Sequence, residues 1–279
     1  MNLLQTTLFF TIFLFLLVIL ILLYYYFSIQ SYNRIDCYQQ DSTLPLDFSP
    51  TIPKIFHKTW KTKENLPLFF EKCQNSIEQI FPDFQTELYN DNDMMRFMKN
   101  FSIRHFDFFE KLPHKIQKVD FFRYCLLYER GGIYCDMDVE MVMQFPKKFL
   151  TLDKLIFPIE YISLKKDIPD EEFWHITNLK PIFPFFCIGN YAFMTRPKNS
   201  TLYDFIEFIM KQYEKRKSMD LSFQKQVFYT TGPYILTEFY HKHPDKFLLL
   251  QPHNFENFWF GNYAIHHVKH SWAKKNEIV

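Results

Sequence analysis

None of the five cysteines, Cys37, Cys73, Cys125, Cys135 and Cys187, stands in a C-x-x-C pair. Zinc ribbons need that spacing, and an odd number cannot pair completely, so neither a ribbon nor a full disulfide framework is expected. One or two disulfides with at least one free thiol remain compatible with the count. The chain also lacks a surplus of charge. Lys and Arg number 32 against 31 Asp and Glu, a formal net charge of +1. Nucleic acid is therefore not expected as a partner, because a phosphate backbone needs concentrated basic surface. No H-E-x-x-H pattern supports a zinc hydrolase. Internal repeats and low-complexity runs are missing too. Glycine is scarce, 5 of 279 residues, whereas phenylalanine reaches 35.

What is present begins with one long apolar run, Leu8 to Phe27, broken by Thr11. About twenty apolar residues match a bilayer-spanning helix. No small-residue cleavage site of a secretory signal is evident. Tyr24, Tyr25 and Tyr26 sit at one end, where interfacial aromatics gather. The competing reading is a buried core helix. The expected organisation is a transmembrane anchor over 1–28, a polar stem with Pro45 and Pro50 over 29–50, and a catalytic domain over 51–279. No Lys or Arg precedes the run and Arg34 follows it, so the positive-inside rule does not itself favour a lumenal domain. The sequons at Asn100 and Asn199 are compatible with one.

Beyond residue 50 the pattern alternates. Lys54–His57, Glu87–Tyr89, Ile133–Val139, Leu155–Ile162 and Phe185–Met194 read as strands. Leu66–Ile80, Ile116–Glu129, Leu202–Lys215 and Tyr234–Lys242 read as helices. Such alternation predicts an α/β fold with a parallel or mixed sheet.

The stretch Lys118–Val142, KVDFFRYCLLYERGGIYCDMDVEMV, is the most informative. It predicts a helix, a Gly131-Gly132 stop, and a strand ending in Asp136 and Asp138. Residues two apart on a strand share a face, so Tyr134 joins the two aspartates. Adjacent carboxylates repel in a partly dry site. A divalent cation that also grips a diphosphate resolves the repulsion, since Mg²⁺ and Mn²⁺ favour carboxylate, water and phosphate oxygens. Chemistry on a nucleotide-activated substrate follows. Asp138 is the expected metal ligand, and Asp136 bridges metal and ribose hydroxyls. Arg123 offers planar donors to sugar hydroxyls or phosphate, and Asp120 accepts from sugar hydroxyls. The plainer reading of Asp120 and Arg123 is an i,i+3 helix ion pair. Tyr134 either contacts the nucleotide or is an ordinary strand aromatic. Trp60, at the end of the first strand, either stacks on the base or belongs to the core. His57 reads as structural.

These residues carry a resemblance to the DXD-containing glycosyltransferases of the yeast initiating α-1,6-mannosyltransferase type, a family that includes sphingolipid mannosyltransferases and α-1,4-galactosyltransferases. The matching positions are Lys118, Asp120, Arg123, Tyr124, Leu127, Tyr128, Gly131, Gly132, Ile133, Tyr134, Asp136 and Asp138. Ile52–Trp60, Gly189-Asn190 to Pro197, Thr231-Gly232-Pro233 and His266-His267 to Ser271-Trp272 resemble further family blocks in the same order. The last block departs at His270, where Gly is usual, and at Val268, where an aromatic is usual.

The resemblance implies a GT-A-type, Rossmann-like mixed sheet flanked by helices and preceded by one transmembrane helix. It implies hexose transfer from a GDP- or UDP-sugar to a glycan or glycolipid, with retention of configuration and a Mn²⁺ or Mg²⁺ cofactor. A single-pass Golgi or ER membrane protein with a lumenal domain is implied as well. His267 is expected to complete the metal shell, with His266 second and His270 a bystander. Ser271 and Trp272 are expected to donate to the β-phosphate, and Asn190 to help bind donor or acceptor. A catalytically silent carbohydrate-binding protein and a nucleotide-sugar hydrolase are the alternatives.

Overall fold

The computed structural model describes residues 15, 17–19, 51–163, 168–182, 185–251 and 260–268. Residues 15 and 17–19 are helical, but the expected anchor and stem otherwise lie outside the described residues, as do His270, Ser271 and Trp272. Among the described residues no helix is long and apolar enough to cross a membrane. By contacts the chain separates into two units, Met1–Leu44 and Pro45–Val279.

The second unit is a mixed α/β structure. Its strands are β1 (Ile55–Thr59), β2 (Gln85–Tyr89), β3 (Gly132–Cys135), β4 (Val139–Met141), β5 (Leu155–Ser163), β6 (Phe185–Ile188), β7 (Ala192–Thr195), β8 (Phe247–Leu250) and β9 (Ala264–His266). Its helices are α1 (Leu68–Ile80), α2 (Asp91–Phe101), α3 (Ile103–Lys111), α4 (Lys115–Arg130), α5 (Ile168–Thr177), α6 (Ser200–Arg216), α7 (Phe223–Thr230) and α8 (Pro233–Lys242). The main sheet runs β2-β1-β3-β7-β5-β6, with β8 beside β5; β4 and β9 form a separate pair. β1 is parallel to both β2 and β3, and β7 is antiparallel to β3. The carboxyl ends of β1 and β3 and the amino end of β7 therefore meet at one edge of the sheet. Open α/β sheets bind ligands there.

The sheet is held by a core of Phe56, Ile77, Phe81, Ile133, Ile156, Met194 and Leu248, among others. Each fully buried side chain of this size contributes roughly 1.5–3 kcal/mol before entropy is counted. α4 crosses the sheet and buries Asp120 and Arg123 along with its apolar residues. It stops at Gly131, whose N–H donates to the Leu127 carbonyl at 2.8 Å. Gly131 has φ 65°, and a Cβ there would lie 2.5 Å from the Pro197 ring. Only glycine meets both conditions, and this sharp stop lets β3 start beneath the helix.

Two expected strands need correction, and two possibilities that the sequence left open are closed. The strand expected over Ile133–Val139 breaks in two, because the Asp136 N–H leaves the ladder for the Tyr191 carbonyl (2.8 Å) and the Val139 N–H closes a turn onto the Asp136 carbonyl (3.2 Å). The strand expected over Phe185–Met194 divides at Gly189–Tyr191, with β6 pairing β5 and β7 reaching β3. Cys73, Cys125, Cys135 and Cys187 are buried free thiols, so no disulfide forms among the described residues. Asn199 is 3% exposed. Its side chain caps α6 by accepting from the Leu202 N–H at 3.1 Å, which removes it as a glycan acceptor in the folded domain.

Candidate active site

Asp136 and Asp138 occupy the turn between β3 and β4 rather than a strand. They still face a common space. Ligand atoms of Asp136, Asp138 and His266 all lie within 4.8 Å of one another. His266 is the last residue of β9, which pairs antiparallel with β4 and sets His266 opposite Val139. Its Nε2 stands 3.5 Å from Asp138 Oδ1, and its ring stacks on Tyr191 with centroids 3.9 Å apart. Two carboxylate oxygens and one imidazole nitrogen form a donor set that suits Mn²⁺ or Mg²⁺.

Arg123 lies beneath this cluster. It is 2% exposed. Its Nη2 contacts Asp136 Oδ1 at 3.2 Å and Asp120 Oδ1 at 3.3 Å. Its Nη1 donates to the Asn190 carbonyl at 2.7 Å. The guanidinium also rests 4.5 Å above the Tyr134 ring. Asp120, 3% exposed, accepts further from Asn190 Nδ2 (3.0 Å) and Thr231 Oγ1 (3.1 Å). The sequence expectation that Asp120 and Arg123 reach out to sugar hydroxyls therefore meets two nearly closed side chains. The i,i+3 ion pair exists, but it is buried and shared with Asp136. In this arrangement Arg123 orients Asp136, and Asn190 links Asp120 to the strand connection.

Burial pushes the Asp120 carboxyl up to about 7, against the pull of Arg123. Burial also raises Asp136, with Arg123 opposing and Asp138 adding to the rise. For Arg123 burial works against the charge, but Asp136, Tyr134 and Asp120 outweigh it and keep the guanidinium charged. Arg123 contacts two carboxylates, Asp120 and Asp136, and Asp138 adds a third beside Asp136, so a further cation is electrostatically welcome.

Tyr134 is fully buried. Its hydroxyl donates to Asp136 Oδ1 at 2.9 Å and meets Thr59 Oγ1 at 2.8 Å. Trp60 follows β1 at the same sheet edge, partly exposed, and packs edge-on against Phe70 at 4.6 Å. His267, the first choice for the third ligand, points away from the aspartates and meets Glu140 Oε2 at 2.8 Å. Adjacent residues on extended chain face opposite ways, so His266 takes the place beside Asp138.

Sequence reasoning missed three residues. Lys58 on β1 is fully buried, and its Nζ donates to the Asp136 carbonyl at 3.0 Å. Tyr191 supports the His266 ring. Glu160 on β5 adds a fourth carboxylate near the cluster, lifted by burial to about 7. A lysine inside an otherwise buried strand was the available signal for Lys58; the other two depend on pairing between distant segments.

Residues 67–158 match the family described as "Glycosyltransferase sugar-binding region containing DXD motif". Inositol phosphoceramide mannosyltransferase 3 of Schizosaccharomyces pombe is 37% identical over 91 residues, covering 33% of this chain and 25% of that protein. Initiation-specific alpha-1,6-mannosyltransferase of Saccharomyces cerevisiae is 33% identical over 111 residues, covering 37% of this chain and 23% of that protein. The match thus spans about a quarter of the length of these relatives. Among solved structures, the PaToxG glycosyltransferase aligns at 16% identity and a TM-score of 0.43, over 69% of this chain and 70% of that one.

Proposed function

We propose, starting from the DXD-containing glycosyltransferase family to which residues 67–158 belong, that this chain transfers a hexose from a nucleoside-diphosphate sugar to a hydroxyl of a glycan or glycolipid. The observation that carries the reading is the convergence of Asp136, Asp138 and His266 at the carboxyl end of β3. These three residues would hold Mn²⁺ or Mg²⁺, which when bound acts as a Lewis acid on the leaving diphosphate. The chain's own residues do the rest. Arg123 and Tyr134 fix the Asp136 carboxylate, and Lys58 holds its backbone. Trp60 offers a ring to the base from the adjacent strand end. Ser271 and Trp272 are the proposed donors to the β-phosphate. The domain is proposed to be of GT-A type and to retain configuration. The acceptor attacks from the leaving-group face and gives its proton to a diphosphate oxygen.

The relatives' names describe mannosyl transfer, so GDP-mannose is the first donor to test, with UDP-hexoses beside it. Leu8–Phe27 is proposed to anchor residues 51–279 in a Golgi or ER membrane, with the stem between. The decisive experiment measures release of nucleoside diphosphate with and without acceptor, in Mn²⁺ and in chelator. Release that requires both acceptor and metal supports the transferase. Release independent of acceptor would make the protein a hydrolase. Absence of release, with sugar binding intact, would make it a silent carbohydrate binder.

A further inference from the structure

Glu160 sits at an irregularity in the sheet. Ile159 pairs with Ile188 and Tyr161 pairs with Cys187, so Glu160 is the extra residue of a β-bulge between β5 and β6. Bulges re-aim a side chain and gather next to active sites. Its neighbour across the strand end is Gly189, whose N–H donates to the Pro158 carbonyl at 2.9 Å. A Cβ on Gly189 would lie 3.3 Å from Glu160 Cβ and 2.4 Å from the Tyr191 ring. Glycine therefore lets the Tyr191 ring, on which His266 stacks, close directly onto the backbone beside Glu160. Glu160 interacts electrostatically with both His266 and Asp136. Asp120, by contrast, has its oxygens taken by Arg123, Asn190 and Thr231. Among the described residues Glu160 makes no hydrogen bond or ion pair of that kind.

From this geometry, and resting on the transferase reading above, we propose that Glu160 accepts a hydrogen bond from a sugar hydroxyl, of the transferred hexose or of the acceptor. The bulge takes Glu160 out of the regular alternation of β5, and the missing side chain at Gly189 lets Tyr191 and the His266 ring stacked on it approach the carboxylate's strand. Glu160 is then a substrate-binding residue supplied by β5.

The test compares wild type, Glu160→Gln and Glu160→Ala. Thermal unfolding with Mn²⁺ plus GDP or UDP reads the metal and nucleotide site. Transfer to acceptor and acceptor-free donor hydrolysis read the sugars. Both variants should keep the wild-type thermal shift. A hydroxyl of the acceptor predicts an acceptor KM raised about tenfold or more, with hydrolysis unchanged. A hydroxyl of the transferred hexose predicts that hydrolysis and transfer fall together by a similar factor. Transfer and hydrolysis both within about twofold of wild type, with the shift intact, would overturn the Glu160 assignment alone, since one lost charged hydrogen bond exceeds that. A wild type that shows no shift with any nucleotide and Mn²⁺ would overturn the transferase reading and this assignment with it.

Discussion

His266 Nε2 stands 3.5 Å from Asp138 Oδ1, and the backbone carbonyl of that same aspartate receives the N–H of His267 at 3.0 Å. One short ladder thus sets both the distance and the identity of the histidine that faces the DXD turn.

The metal assignment is tested at Asp138. Asp138→Asn removes a charged oxygen ligand while keeping the side chain's shape. Mn²⁺-dependent turnover should disappear with the unfolding midpoint unchanged, because an amide is a much weaker ligand. Full activity at equal folded protein would remove Asp138 from the site.

A metal titration separates the two histidines. His266→Ala should raise the Mn²⁺ requirement at least about tenfold, since even indirect partners of a metal are worth that much. His267→Ala should leave the requirement unchanged and cost at most about 1 kcal/mol from the half-exposed pair with Glu140. The reverse pattern would mean that the last strand slips by one residue when metal binds.

Arg123 carries a stability prediction. Arg123→Met leaves the Asp120 and Asp136 carboxylates without their shared cation, and breaking a buried pair costs about 3–5 kcal/mol. Urea unfolding should show that loss near neutral pH. Arg123→Lys should recover only part of it, because an ammonium cannot span Asp120, Asp136 and the Asn190 carbonyl together.

His57 predicts a pH dependence. Burial lowers it from the ordinary 6.5 to about 4, while its Nε2 donates to the Gly131 carbonyl at 3.0 Å. Above pH 6.5 neither folded nor unfolded chain protonates it, and its contribution is constant. Between 6.5 and 4 only the unfolded chain takes up the proton, so stability falls as pH falls. The loss amounts to roughly 3 kcal/mol once the folded value is passed. His57→Gln should flatten that part of the curve; an unchanged slope would show that the imidazole is charged in the fold.

Topology and glycan occupancy can be read together. In sealed microsomes the 51–279 domain should resist protease until detergent is added. Asn100 is exposed at the end of α2, whereas Asn199 is buried as a helix cap. A lumenal domain should therefore carry glycan at Asn100 alone, measured by intact mass before and after glycosidase. Digestion without detergent would place the domain on the cytoplasmic face.

The residues around Gly131 were legible because their signals are contiguous. A helix period, two glycines and a D-x-D follow one another within one supersecondary unit, and each local preference agrees with the fold. The start of α2 was legible too, through its Asn90/Asp93 capping box, although the sequence reading passed it over. The choice between His267 and the second candidate, His266, was not legible. A one-residue change of register exchanges the two faces of an extended segment, and only the pairing of Val139 with His266 decides it. Lys58 and Glu160 lay hidden for a related reason. Their placement depends on which strands become neighbours, and no nearby residue announces it.

The pairing of β4 with β9 also bears on how the chain holds together. Asp138 and His266 are well over a hundred residues apart, yet they share one candidate cation site. A cation gripping both would act as a removable cross-link that closes most of the domain into a single loop. Closing a loop that long withdraws a large share of the unfolded chain's freedom, as any cross-link does. Binding would then tighten the whole domain against unfolding as well as arm its chemistry, and a chelator would loosen segments far from the metal.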